Sequence, residues 1–262
     1  MQEIKFYKYQ GAGNDFVMID GTKEAINLSL DQVRRLCSKG FGVATDGLII
    51  LKNAEGGLDF EMDYYNADGT QSMCGNGGRC AVKFAKQVGI LKPTYHFKAI
   101  DGLHEATIED NGWVNLKMND VSQVKNYGSD FILNTGSPHY VALKEHVRDL
   151  NVFEEGRKIR NSEPFKENGI NVNFVEILND TSIFVRTFER GVENETLSCG
   201  TGVTAASIVA AHNDRGFNRI EVETLGGKLA VEFDKISEDH FENILLCGPA
   251  ELVFAGSIVL PD

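Results

Sequence analysis

Two short stretches carry residue types from which chemistry could be built: "SMCGNGGRC", Ser72 to Cys80, and "LSCGTGVTA", Leu197 to Ala205. Each sets a cysteine directly before Gly-x-Gly and then runs into small and apolar residues of helical spacing. A loop that becomes a helix there leaves its first backbone N–H groups unpaired at the positive end of the helix dipole, and such a place binds anions. Glycine lets the backbone approach a bound group closely, and a thiol at a helix start has its thiolate form stabilised. One such cysteine suggests a nucleophile. Two in matching settings suggest thiols facing each other across a cleft, one taking a proton from one face of a carbon while the other returns a proton to the opposite face. The helix starts would hold a carboxylate and steady the charge that develops in the transition state. Inverting a stereocentre in this way requires no metal and no organic cofactor.

Other readings of these cysteines fit less well. A cysteine that only packs in a core has no reason to precede Gly-x-Gly twice, and a disulfide is disfavoured in a cytoplasmic chain. The five cysteines (Cys37, Cys74, Cys80, Cys199, Cys247) form no Cys-x-x-Cys pair, so no metal site is expected. "GTGVTA" from Gly200 fits the loose Gly-x-Gly-x-x-Ala dinucleotide pattern, but the polar "ENETLSC" precedes it instead of a strand. "GAGNDF" has Phe16 at the third glycine position. Nucleotide binding is set aside.

The elements that must position the motifs come in two copies. The cysteines lie 199 − 74 = 125 residues apart, and the same offset carries Gly11 of "QGAGNDF" onto Gly136 of "TGSPHYV", Ala81 onto Ala206 and Ala85 onto Ala210. Two halves of similar fold, 1–125 and 126–262, are therefore expected, with the active site in the cleft between them. "GGRCAVKFAKQVG" and "GVTAASIVAAHNDRG" read as the main helix of each half, apolar or small on most faces and hence buried inside a wrapping sheet. "SLDQVRRLCSKG" reads as a further capped helix. "LDFEMDYYNADG", "GWVNLKM", "NVNFVEIL", "TSIFVRTFERG", "IEVETLGGKLAVEF" and "ILLCGPAELVFAGSIVL" read as strands and turns.

With 262 residues, 42% hydrophobic and 24% charged, the chain can bury a substantial core. Its net charge of −12 argues against nucleic acid and against an anionic membrane surface as partners. No apolar run is long enough to span a bilayer, and the N-terminus "MQEIKFYKYQ" is charged and strand-like, unlike a signal peptide; a cytoplasmic protein is expected. Polar residues gather near the motifs. His139 follows a Pro-fixed turn in the segment that matches "GAGND". Glu189 and Arg190 break an apolar alternating strand just before the Cys199 loop. Asn14, Asn66, Asn76 and Asn171 fall in turns or at strand ends.

"KYQGAGNDFVMID", "YYNADGTQSMCGNGGRC", "NTGSPHYV", "NVNFVEI" and "ERGVENETLSCGTGVTAA" together resemble the diaminopimelate epimerase family over nearly the whole chain. The resemblance implies an α/β fold of two pseudo-symmetric halves, each a mainly antiparallel sheet wrapped around a central helix. It implies cofactor-independent interconversion of L,L- and meso-diaminopimelate, in lysine and cell-wall precursor synthesis, by a homodimer. Cys74 then matches the proton donor and Cys199 the proton acceptor. Asn14, Asn66, Asn171, Glu189 and Arg190 match substrate-holding positions, and Gly75-Asn76 and Gly200-Thr201 match the helix-start groups that take the reacting carboxylate. His139 and Glu189 match residues that help set the thiol protonation states. Cys80 matches a residue with no acid/base part, and Cys37 and Cys247 read as packing. Two departures stand out: Ser137 occupies a position where many members have Asn, and "ERGVENETLSC" is one residue longer than the commoner loop.

Three rivals remain open on the sequence. Another cofactor-independent racemase, of proline, hydroxyproline or histidine, would share the fold; proline racemases typically carry His where this chain has Asn76. A non-catalytic amino-acid-binding module would keep the asparagines and Arg190 without needing two thiols. A thiol redox protein would work through a reversible Cys74–Cys199 disulfide.

Overall fold

The computed structural model describes residues 2–261. In chain order the first elements are β1 (Gln2–Gly11), β2 (Asn14–Asp20), α1 (Leu30–Cys37), β3 (Gly47–Lys52), β4 (Phe60–Asn66), α2 (Gly75–Gln87), β5 (Thr94–Ala99), β6 (Gly102–Ile108) and β7 (Val114–Lys117). There follow β8 (Val124–Tyr127), β9 (Asp130–Asn134), β10 (Pro138–Leu143), α3 (Val152–Arg160), β11 (Asn171–Asn179), β12 (Ser182–Glu189) and β13 (Asn194–Thr196). The chain ends with α4 (Gly200–Val209), β14 (Gly216–Thr224), β15 (Gly227–Lys235), β16 (Phe241–Gly248) and β17 (Glu251–Leu260).

Strand pairing repeats step for step. From β1 the order is antiparallel to β2, parallel to β3, antiparallel to β4, parallel to β5, then antiparallel to β6 and on to β7. From β9 it is antiparallel to β10, parallel to β11, antiparallel to β12, parallel to β14, then antiparallel to β15 and on to β16. α1 and α3 occupy the same slot in each series, as do α2 and α4. Even the leading strand is matched: β8 precedes β9, and β17 pairs antiparallel with β1.

That last pairing moves the boundary expected from the motif offset. The chain divides into Met1–Leu116 with Gly248–Asp262, and Lys117–Cys247, rather than at 125. The terminal segment returns to the first unit because β17 runs beside β1 from Glu251 to Leu260.

Local sequence explains the helices. α1 begins at Ser29 in a capping box with Gln32 and buries Val33, Leu36 and Cys37. These pack with Ile4, Val17, Ile19, Leu48 and Ile50 from the neighbouring strands. Beneath α3, Val152 packs with Tyr140, Val172, Phe174 and Phe188. Each large apolar side chain so buried contributes about 1.5–3 kcal/mol. The two central helices are buried on most sides, including Asn76, Arg79 and Cys80 in α2 and Gly202 to Ile208 in α4. α2 packs against β1, β2, β3, β4 and β6, and α4 against β9, β10, β11, β12, β14 and β15. Each half is a sheet wrapped around one helix, as the sequence leads one to expect.

Candidate active site

In the first unit Cys74 is the N-cap residue of α2. Its backbone is extended there (φ −131°, ψ 119°), and its sulfur accepts from the Gly77 N–H at 3.5 Å. The thiol thus stands in the field of the helix start, half-buried and unbridged. Asn66, at the end of β4, is tied to the segment that leads to Cys74: Nδ2 donates to Thr70 Oγ1 at 3.0 Å and to Ser72 Oγ at 3.2 Å, while Oδ1 accepts from Tyr64 OH at 2.9 Å. Beside the helix start a directional chain runs from a buried cation to a carboxylate. Arg79 Nη2 donates to Asn76 Oδ1 (3.0 Å), Asn76 Nδ2 to Asn14 Oδ1 (2.6 Å), and Asn14 Nδ2 to Asp46 Oδ2 (2.9 Å). Asn14 is carried by the β1–β2 turn, where Ala12 (φ 53°) and Gly13 (φ 89°) adopt left-handed backbone.

In the second unit Cys199 is the N-cap residue of α4, in the same extended conformation (φ −120°, ψ 112°) and almost fully buried. Its sulfur has a hydroxyl neighbour, Thr201 Oγ1 at 3.5 Å. The 134–139 segment is docked on the first turn of α4: Thr135 Oγ1 donates to the Thr201 carbonyl at 2.8 Å, and Ser137 Oγ lies 3.4 Å from Thr201 Oγ1. His139 has no exposed surface, and desolvation, with the nearby Arg190 charge, depresses its pKa to about 3. Its Nε2 lies 3.1 Å from Ser137 Oγ and its Nδ1 3.0 Å from Asn173 Nδ2.

Asn171 has both ends of its amide occupied. Nδ2 donates to Ser137 Oγ (2.8 Å) and to the Pro138 carbonyl (3.2 Å), and Oδ1 accepts from the Arg190 N–H (2.8 Å). Arg190 is exposed, its guanidinium donating to the Asn168 carbonyl. Glu189, at the end of β12, accepts from Thr196 Oγ1 at 3.0 Å. Glu195 in the longer loop forms a two-pronged pair with Arg186 (2.6 and 2.8 Å), whose Nη1 also donates to the carbonyls of Val147, Arg148 and Leu150. The loop before Cys199 is thus tied to β12.

Of the expected residues, Gly75 and Asn76 open α2 after Cys74, Asn14 bonds Asn76, and Asn66 bonds Ser72. Gly200 and Thr201 open α4 after Cys199, and His139 and Asn171 meet at Ser137, beside Thr201; Arg190 is joined to Asn171 through its N–H, and Glu189 bonds Thr196. Cys37, Cys80 and Cys247 are buried, and burial pushes the Cys37 and Cys80 thiols up. Among the described residues no group of three or more His, Cys, Asp or Glu side chains could hold a metal ion, and no helix is long and apolar enough to cross a membrane. The sequence reading missed Asp46, Arg79, Asn173 and Thr187. Asn173 did leave a signal, since it lies two residues after Asn171 on the same strand and so shares its face.

Solved structures show this fold elsewhere. A phenazine biosynthesis protein of the PhzF family from Bacillus anthracis superposes with a TM-score of 0.78 at 15% identity, covering 99% of this chain and 100% of that one. A probable proline racemase from Agrobacterium radiobacter, with bound carbonate, does so with a TM-score of 0.70 at 15% identity, covering 98% and 93%. The fold of this chain is thus the duplicated α/β architecture of these structures. Within it, the family model for diaminopimelate epimerase matches residues 6–124 and 131–253, two stretches whose starts repeat the 125-residue offset. A diaminopimelate epimerase from Flavobacterium psychrophilum is 47% identical over 260 residues, covering 97% of this chain and all of that one. One from Chlorobaculum tepidum is 41% identical over 263 residues, covering 95% and 99%. The chain belongs to the diaminopimelate epimerase family.

Proposed function

We propose that this protein interconverts L,L- and meso-diaminopimelate without an added cofactor, using Cys74 and Cys199 as an acid/base pair. The observation that carries the reading is that each thiol is the N-cap residue of its half's central helix. At such a place the thiolate form is favoured, and free N–H groups are available to a carboxylate.

In the L,L to meso direction the Cys199 thiolate removes the α-proton. The negative charge that develops spreads into the substrate carboxylate, which the N–H groups at Gly75-Asn76 and Gly200-Thr201 hold. The Cys74 thiol then delivers its proton to the opposite face. The C–H bond to one sulfur's side is broken, a C–H bond on the other side is formed, and the sulfurs exchange protonation states, so the reverse reaction starts from the product. Asn14, Asn66, Asn171, Glu189 and Arg190 hold the amino and distal groups. His139 and Glu189 help set the protonation of the thiols. Ser137, where relatives often carry Asn, offers a shorter hydroxyl that is already bonded by Asn171, so this chain leans on Arg190 for the distal carboxylate.

Family membership supports a place in lysine and peptidoglycan precursor synthesis in the cytoplasm. Homodimer formation fits the outer surface of β17, where Glu251 to Ser257 are all exposed and include Leu252, Val253 and Phe254. The test is proton NMR of the reduced protein with L,L-diaminopimelate, without pyridoxal phosphate. Appearance of the meso isomer, lost by about 10³-fold or more in Cys74→Ala and Cys199→Ala, supports the reading. Turnover that survives either substitution refutes the cysteine pair.

A further inference from the structure

The hydrogen bonds around His139 have a fixed direction that can be read from their partners. Asn173 Nδ2 lies 3.0 Å from the Tyr140 carbonyl, which can only accept, and Asn173 Oδ1 takes the Thr187 hydroxyl at 2.9 Å. The atom facing His139 Nδ1 is therefore an N–H donor. The imidazole must present a lone pair at Nδ1 and, being neutral, carries its one proton on Nε2. That proton is donated to Ser137 Oγ. Asn171 also donates to Ser137 Oγ, its own orientation fixed by the Pro138 carbonyl on one side and the Arg190 N–H on the other. With two donors on its oxygen, Ser137 turns its hydrogen toward Thr201 Oγ1, 3.4 Å away. The Thr201 hydrogen is then free to point at Cys199 Sγ.

We infer that Asn173 is a positioning residue for Cys199: by fixing the Nε2–H tautomer of His139 it orients a one-way relay, His139 to Ser137 to Thr201, that ends as a donor on the Cys199 sulfur and favours its thiolate. On this account His139 serves as a buried hydrogen-bond donor and never takes up a proton itself. Beside the helix start of the first unit the hydrogen bonds run from Arg79 through Asn76 and Asn14 to Asp46. Asn173 also lies against the helix start it serves, its Oδ1 standing 2.3 Å from where a Cβ on Gly202 would be. The inference rests on the reading of Cys199 as an acid/base residue, but its test needs no substrate, so the two can fail separately.

Two measurements decide it. Long-range ¹H–¹⁵N NMR of the native protein, with the His139 signal assigned through His139→Gln, should show protonated Nε2 and bare Nδ1 near neutral pH; an Nδ1–H tautomer overturns the relay. The pH midpoint of Cys199 alkylation by iodoacetamide, followed by site-resolved mass spectrometry, should rise by about one pH unit in Thr201→Val, that is, about tenfold less thiolate at a fixed lower pH. It should return in Thr201→Ser and rise again in Asn173→Leu, while Cys74 in the same samples keeps its midpoint. An unmoved Cys199 midpoint in Thr201→Val, or equal shifts at both cysteines, overturns it.

Discussion

At the scale of single residues, the first unit shows polar groups bonded in a line beside the helix start, and in the second His139 sits where no water reaches it. Its folded pKa, about 3, lies below the usual 6.5, so the native state refuses a proton that the unfolded chain accepts. The stability this ring contributes is complete above about pH 6.5 and drains away as pH falls toward 3. The urea midpoint of the native protein should therefore drop between about pH 7.5 and pH 5 more than that of His139→Gln; parallel drops in both would show that other groups carry the acid sensitivity. The Pro-His pair stood out in the sequence because it aligns with "GAGND" at the repeat offset. What the ring does there was not legible, because it depends on which atom of Asn173 meets Nδ1, a matter of side-chain orientation across two strands.

At the scale of elements, the second glycine of each motif has a local cause. A Cβ on Gly202 would meet Asn173 Oδ1 at 2.3 Å, the Cys199 Cβ at 3.3 Å and the Thr187 hydroxyl at 3.3 Å, whereas one on Gly77 would meet Ile49 Cδ1 at 3.2 Å. Gly202→Ala should consequently push the start of α4 away from β11 and β12. The expected result is a loss of about 1–3 kcal/mol in stability with activity lost in larger proportion, read by thermal unfolding and by epimerisation rate; Gly77→Ala, facing a flexible isoleucine tip, should cost less. Equal costs at the two positions would contradict this account. The main helices were legible from the small and apolar residues that follow the cysteines. α3 was not, because Gly156 looks like a helix stop; it lies mid-helix instead, where a Cβ would strike the Phe188 side chain at 2.3 Å.

At the scale of the whole molecule, the duplication was visible in the sequence through a handful of matches at one offset. The boundary was not, since nothing in "AELVFAGSIVL" says that this strand pairs with the N-terminal "EIKFYKYQ". The same strand carries the exposed apolar side chains Leu252 (47%), Val253 (53%) and Phe254 (46%), a contiguous apolar run of the kind that marks an interaction surface. If β17 is the dimer contact, sedimentation velocity should find a dimer for the native chain and a monomer for Val253→Lys with Phe254→Glu. A dimer unaffected by the pair of changes would move the contact elsewhere.

The central claim is that two thiols serve two faces of one carbon, and the fate of the α-hydrogen tests it most directly. In heavy water, with L,L-diaminopimelate and the reduced protein, early meso product should carry deuterium at the inverted centre, while the unreacted L,L isomer keeps its protium. Each thiol has exchanged with solvent, and the base that removes the proton is not the acid that returns one. Early meso product that retains the substrate's own α-hydrogen would mean a single group moving one proton between faces, and would contradict the account.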